Sequence, residues 1–285
     1  MNEFDYHRAT SLDEARRLGA AGGAALLAGG QTLLRDLKHR RRAPASLVKI
    51  SGVLPREIDL RDGGITIGAG ATHAEVAVSE VVRDRLPALA GLAGHIGDPA
   101  VRHRATLGGA VVAHEVAGDY PAACLALGAT VHTTGRDLAA AEFFAGPGRT
   151  ALEPGEIVTA VTFPVPAKAA YVKFLNPAAR YPMAGVFVAL AADGRPHLAV
   201  AAVRADGAFR WLEAEAALAA TFVGDALREV HMPLDGLAVD LFADATYRGR
   251  LAEVLARRAV FLANSAAPGV AVFSHGSPLQ IGVER

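Results

Sequence analysis

The residues best suited to chemistry lie in two glycine-rich turns, Leu27–Leu34 (LAGGQTLL) and Ala105–Ala113 (ATLGGAVVA). Each sets two adjacent glycines beside a hydroxyl residue at the edge of an apolar run. Glycine accepts φ > 0 and lets backbone N–H groups approach a ligand closely, so such turns form anion-binding concavities without charged side chains. Two of them converging from distant parts of the chain would hold a pyrophosphate from both sides, which points to a dinucleotide. In the first, Ala28-Gly29-Gly30-Gln31-Thr32 falls between a strand and a helix, where free N–H groups suit a phosphate. An ordinary strand-to-helix turn is the plainer alternative for a lone glycine pair. The nearest approach to a G-x-G-x-x-G fingerprint, Gly68-Ala69-Gly70-Ala71-Thr72-His73, lacks the third glycine, and there is no P-loop.

Three stretches must position these turns. Residues 1–56 read as helix, strand, glycine turn, helix, strand: Ser11 and Glu14 fit a capping box ahead of a helix through Leu18. Ala24–Ala28 and Ser46–Ile50 read as strands, with a helix over Thr32–Lys38. Residues 57–165 mix short strands (Ile65–Gly68, Ala129–Thr134, Ile157–Phe163) with alanine-rich helices (His73–Val82, Pro87–Ile96, Tyr120–Leu127). Pro164-Val165-Pro166 disfavours continued pairing and marks a boundary. Residues 166–285 carry strands at Tyr171–Phe174, Gly185–Ala192 and His197–Val203, with Asp193-Gly194 as a hairpin signal. Helices follow at Trp211–Ala220 and Tyr247–Leu262, and the tail from Ala266 reads as an irregular extension. The fold class is α+β.

Composition narrows the function. With 285 residues, 52% of them hydrophobic, the chain can bury a substantial core, and a net charge of +0 gives no argument for nucleic acid. No signal segment or membrane-spanning run is visible. Cys124 is the one cysteine, so no internal disulfide forms and no iron–sulfur cluster is ligated by this chain alone; the expected address is a reducing cytoplasm. His103 and His114 flank the second turn without the acid partners and spacing of a metal site, so no metal site is expected. The basic run Arg35–Arg42 reads as a solvated helix end, a partner or adenylate-side patch being the alternative. No nucleophile–base–acid set is readable, so no catalytic residue is assigned.

The stretch HIGDPAVRHRATLGGAVVAHEVAGDYPAACLALGATV, from His95, resembles the FAD-binding medium subunit of molybdenum hydroxylases, the family of xanthine dehydrogenase and carbon monoxide dehydrogenase. Its pattern runs H-I-G-D-P-x-V-R-N-R-G-T-I-G-G-S, then D-P-A-A-D-Y-P-A-A. LAGGQTLL, IGAGATHAEV, ALEPGEIVTAVTFPVP and ATYRGRLAEVLARRAV match further family segments in order, so the resemblance covers nearly the whole chain. It implies a vanillyl-alcohol-oxidase/PCMH-type FAD fold of two sub-lobes, 1–56 and 57–165, plus a C-terminal sheet-and-helix domain, 166–285. It also implies noncovalent FAD held by Ala28, Gly29, Gly30, Gln31 and Thr32 and by Thr106, Leu107, Gly108, Gly109 and Ala110. Asp119 would accept hydrogen bonds from ribityl hydroxyls, and Tyr181, Lys173 and Ile157 would lie near the isoalloxazine. Partners would be an iron–sulfur small subunit carrying [2Fe–2S] clusters and a molybdopterin large subunit, with no nucleic acid and no membrane insertion. The chain would relay electrons from the clusters to an external acceptor.

Five positions depart from that pattern. Ala110 replaces serine or asparagine, Glu115-Val116 replaces Asp-Pro, Ala105 replaces glycine, and Lys49 stands where the second strand usually carries aspartate. Two alternatives stay open: an autonomous FAD oxidoreductase, or a non-catalytic paralogue with weak or lost FAD binding.

Overall fold

The computed structural model describes residues 2–61, 63–176, 181–265 and 269–273. The chain opens on β1 (Asp5–Arg8), α1 (Leu12–Gly19), β2 (Ala24–Leu27), α2 (Leu33–Lys38) and β3 (Ser46–Lys49). These strands form a parallel sheet in the order β1-β3-β2. The Ser11 side chain caps α1 by accepting the Glu14 N–H, as expected. The Glu14 carboxylate, however, turns back to the N–H and hydroxyl of Thr10, one residue earlier than a capping box requires. β1 was not anticipated: all four of its residues are exposed, so no apolar alternation marks it.

The middle of the chain begins with β4 (Ile58–Arg61) and β5 (Gly64–Gly68) and continues through α3 (His73–Val78), α4 (Glu80–Arg85), α5 (Pro87–Gly94) and α6 (Pro99–Arg102). α7 (Leu107–Ala113) and α8 (Asp119–Leu127) follow, then β6 (Thr130–Thr133), β7 (Asp137–Ala139), α9 (Ala140–Phe143) and β8 (Val158–Pro164). The strands form an antiparallel sheet in the order β4-β5-β8-β6-β7. Period-two alternation sends Ile65, Ile67, Val131, Val161 and Phe163 into the core. The helix expected over His73–Val82 is broken at Ser79, whose extended backbone (φ −61, ψ 122) ends α3 and starts α4. The second glycine turn is itself a helix, α7, capped by the Thr106 side chain, which accepts the Gly109 N–H at 3.2 Å. All nine residues of α8 are buried.

The last sheet runs in the order β12-β11-β10-β9-β13. Its strands are β9 (Lys168–Leu175), β10 (Pro182–Leu190), β11 (Pro196–Ala201), β12 (Phe209–Arg210) and β13 (Val270–Phe273), with α10 (Leu212–Ala220) and α11 (Ala245–Ala263) between the last two. The Asp193-Gly194 hairpin forms, with Gly194 at φ 83. The tail is not wholly irregular: β13 adds to the sheet edge, parallel to Tyr171–Phe174. Residues 266–268 and 274–285 of that tail lie outside the described residues. Both faces of this sheet are covered. Tyr171, Phe187 and Ala199 join the main core shared with the first two sheets, whereas Val172, Val186 and Val200 form a second core with α10 and α11. Among the described residues no helix is long and apolar enough to cross a membrane.

Candidate functional site

The first glycine turn follows β2 and leads into α2. Gly30 sits at φ 75, where a Cβ would be strained. A Cβ on Gly29 would lie 2.2 Å from the Arg104 carbonyl oxygen and 2.8 Å from Ala105 Cα, so only glycine lets this turn rest on the segment that enters the second. The N–H groups of Gly29, Gly30, Gln31 and Thr32 donate to no acceptor among the described residues. Four donors with no acceptor among the described residues, beside a backbone close approach, fit an anionic group such as a pyrophosphate.

The second turn is built differently from the expectation. Leu107 N–H donates to Ala71 O and Gly108 N–H to Ala69 O, both at 2.9 Å, and Gly109 N–H goes to the Thr106 hydroxyl. These N–H groups are therefore spent inside the fold rather than free as donors. What the glycines supply is closeness: a Cβ on Gly108 would come within 2.6 Å of Ala69 Cβ. Ala110 follows on the same helix, half-buried.

A polar cluster spans all three parts of the chain at the first turn. The Thr32 hydroxyl donates to Glu115 Oε2 at 3.1 Å, and the Arg35 guanidinium donates to Glu115 Oε1 through Nη2. Arg35 Nη1 donates to the Tyr181 hydroxyl at 2.6 Å, with the guanidinium carbon 6.0 Å from that ring's centroid. Arg35 Nε is buried with no hydrogen-bond partner among the described residues. Tyr181, expected near a flavin ring, is thus held against α2. Arg35 is no merely solvated helix end, and sequence reasoning missed its role because Glu115 lies 80 residues away.

A second, buried cluster gathers Asp119 and Lys173. The Lys173 ammonium, 0% exposed, donates to Asp119 Oδ1 at 3.1 Å and to the His95 carbonyl at 2.9 Å. The Tyr171 hydroxyl donates to the same Oδ1. Burial, and then the neighbouring Asp119 carboxylate, push the Tyr171 phenol well above its ordinary pKa. Gly185 makes room for that hydroxyl, since a Cβ there would stand 2.4 Å from it. Asp119 Oδ2 accepts from none of the described residues. A signal for this cluster was legible: an acid inside the apolar helix DYPAACLAL needs a buried cation. Lys173 and Tyr171, two apart on β9, share the face that packs on α8. Ile157 lies apart from this cluster, buried beside β8, where its N–H donates to the Thr134 hydroxyl at 3.2 Å.

The structure also assembles a nucleophile–base–acid set that the sequence concealed. On the outer face of the central sheet, His132 Nδ1 lies 2.8 Å from Asp137 Oδ1 and Nε2 lies 2.7 Å from the Thr162 hydroxyl, above a hollow of about 490 Å³. Thr162 is also paired with the Thr66 hydroxyl at 2.8 Å. The strands beneath are paired in ladders and present no converging N–H donors for an oxyanion, so the set lacks what acyl transfer requires. Cys124 is fully buried, and burial raises its thiol pKa beyond the usual range. Among the described residues no group of three or more His, Cys, Asp and Glu side chains could hold a metal ion.

Residues 2–166 match the model of a family described as the FAD binding domain in molybdopterin dehydrogenase. The carbon monoxide dehydrogenase medium chain of Afipia carboxidovorans is 32% identical over 90% of this chain and 95% of its own length. A solved reconstituted CO dehydrogenase from Oligotropha carboxidovorans superposes with a TM-score of 0.84 at 30% identity, over 92% of this chain and 98% of that one. Quinoline 2-oxidoreductase from Pseudomonas putida 86 superposes with a TM-score of 0.81 at 27% identity, over 92% and 97% of the two chains.

Proposed function

The chain belongs to the family of FAD-binding domains in molybdopterin dehydrogenases, and from that premise we propose that it is the subunit that relays electrons from iron–sulfur clusters to an external acceptor. It is an FAD-binding oxidoreductase subunit of the molybdenum-hydroxylase type with the α+β fold of those flavoproteins. The observation that carries the reading is the first turn: four N–H groups without an acceptor among the described residues, on a backbone that only glycine at position 29 lets approach Arg104 and Ala105.

Bound FAD supplies the redox chemistry, and the chain supplies binding, orientation and electrostatics. Ala28, Gly29, Gly30, Gln31 and Thr32 would hold the pyrophosphate, the last four through their N–H groups, while Thr106, Leu107, Gly108, Gly109 and Ala110 would shape the opposite wall. Asp119 accepts ribityl hydroxyls through Oδ2, its other oxygen being fixed by Lys173 and Tyr171. Lys173 orients that carboxylate and brings one positive charge toward the ring, and Tyr181 and Ile157 border it. Residues 1–56 and 57–165 form the cofactor-binding lobes, and 166–285 the lobe that covers them. The partners are an iron–sulfur small subunit and a molybdopterin large subunit in the cytoplasm. The proteins of similar sequence and fold bear names as different as CO dehydrogenase and quinoline 2-oxidoreductase, in keeping with a substrate chosen on another chain.

The test is optical. Purified chain should carry, or take up, FAD that acid denaturation releases into the supernatant; colour left on the precipitate would refute noncovalent binding. Under anaerobic conditions substrate should bleach the flavin only once both partner subunits are present. Substrate-driven bleaching in the isolated chain would overturn the relay and establish an autonomous oxidoreductase.

A further inference from the structure

The cluster at the first glycine turn has the composition of an anion subsite. The Thr32 hydroxyl and the Arg35 guanidinium converge on one carboxylate, that of Glu115, with one oxygen for each donor. Arg35 Nε, buried and without a hydrogen-bond partner among the described residues, lies 4.0 Å from the Asp36 carboxylate, too far to hydrogen-bond it. A carboxylate receiving a hydroxyl and a guanidinium presents the same charge and acceptor pattern as one phosphate group.

The backbone aims Glu115 there. His114 ends α7 in the left-handed region, at φ 38, and its carbonyl is tied to Gly148 N–H. The Glu115 carbonyl accepts from Gly118 N–H at 2.8 Å, and Val116 O accepts from Ala202 N–H at 3.0 Å, so the loop is pinned on both sides of the acid. Glutamate reaches one methylene further than aspartate from that fixed backbone. Its side chain remains about one-third exposed (33%), as does that of Arg35 (32%), so the pair can open without disturbing the core.

We propose that Thr32 and Arg35 form a phosphate subsite of the dinucleotide site, and that Glu115 is an internal anion that competes with the cofactor's phosphate for it. This rests on the FAD reading above. A partly exposed ion pair is a weak interaction, so Glu115 tunes affinity rather than blocking the site. An arriving phosphate draws Arg35 away from Glu115, and the displaced carboxylate turns to solvent.

The experiment titrates FAD, and separately riboflavin, into the full chain and into the Glu115→Gln, Glu115→Ala and Arg35→Met variants, at several salt concentrations. Thermal unfolding checks that each variant is folded. Both Glu115 variants should bind FAD about 2- to 5-fold more tightly than wild type, Arg35→Met at least about 5-fold more weakly and with a flatter salt dependence. Inorganic pyrophosphate, titrated into the FAD-free proteins, should likewise bind Glu115→Gln more tightly than wild type. Riboflavin, which has no phosphate, should bind all four proteins alike. Wild-type FAD affinity in both Glu115 variants would overturn the competition while leaving FAD binding intact. Equal gains for riboflavin would show that Glu115 acts on the ring or the fold instead. If neither wild type nor Glu115→Gln binds FAD, the FAD reading falls, and this inference with it. If only one of the two Glu115 variants folds, that variant decides.

Discussion

Replacing Lys173 with Met tests whether the Asp119 cluster is held by charge. The side chains are nearly isosteric, so the change removes the ammonium and little else. At 3.1 Å, and with an effective dielectric constant of about 20, the attraction to Asp119 Oδ1 is about 5 kcal/mol. Losing it is partly offset because an ammonium no longer has to be buried. Asp119 then keeps only the Tyr171 hydroxyl on that oxygen while remaining 6% exposed. Breaking one side of such a buried pair costs about 3–5 kcal/mol. Asp119→Asn should cost a similar amount, because it leaves the buried ammonium with neutral acceptors only. The double variant, with no buried charge, should recover at least about 2 kcal/mol relative to the sum of the singles. Urea unfolding followed by the fluorescence of Trp211, buried in the second core, provides the measurement. A cost below about 1 kcal/mol for Lys173→Met, or strict additivity in the double variant, would refute the argument.

Three further outcomes are expected. Gly29→Ala should destabilise the chain by about 1–3 kcal/mol and weaken FAD binding at least about 10-fold, because its Cβ would press on Arg104 O. Gly109→Ala, whose Cβ would meet only the Thr106 hydroxyl at 2.9 Å, should be the milder change, and the reverse ranking in parallel titrations would sink the close-approach account. His73 is buried, and desolvation, assisted by Arg102, lowers its pKa from 6.5 to about 4. Between those values the unfolded chain binds the extra proton, so stability falls as pH drops through that window, by about 2 kcal/mol between pH 7.5 and 5. His73→Phe should remove that part of the acid sensitivity, and unchanged pH-dependent unfolding curves would count against it. Cys124, buried with its thiol pKa raised, should resist an aromatic disulfide reagent until the chain unfolds; rapid labelling of native protein would contradict the packing of α8.

The sequence by itself determined what depends on neighbours along the chain. Short apolar runs marked the strands β5, β8 and β10, and glycine chemistry marked the turns at Gly29-Gly30 and Asp193-Gly194. The family pattern added the cofactor. Each of these signals is local, since it rests on φ preference or on a period of two or 3.6 residues. Tertiary structure decided the rest. β1 is exposed throughout and exists because β3 lies beside it, and Val270–Phe273 is a strand because β9 has an open edge. The N–H groups of Leu107 and Gly108 look free in sequence and are spent on Ala71 and Ala69 in the fold. The pairs Arg35–Glu115, Lys173–Asp119 and His132–Thr162 join residues 80, 54 and 30 positions apart. No local propensity specifies such partners; they are fixed by the register of the sheets and by a core whose packing energy is summed over the whole chain.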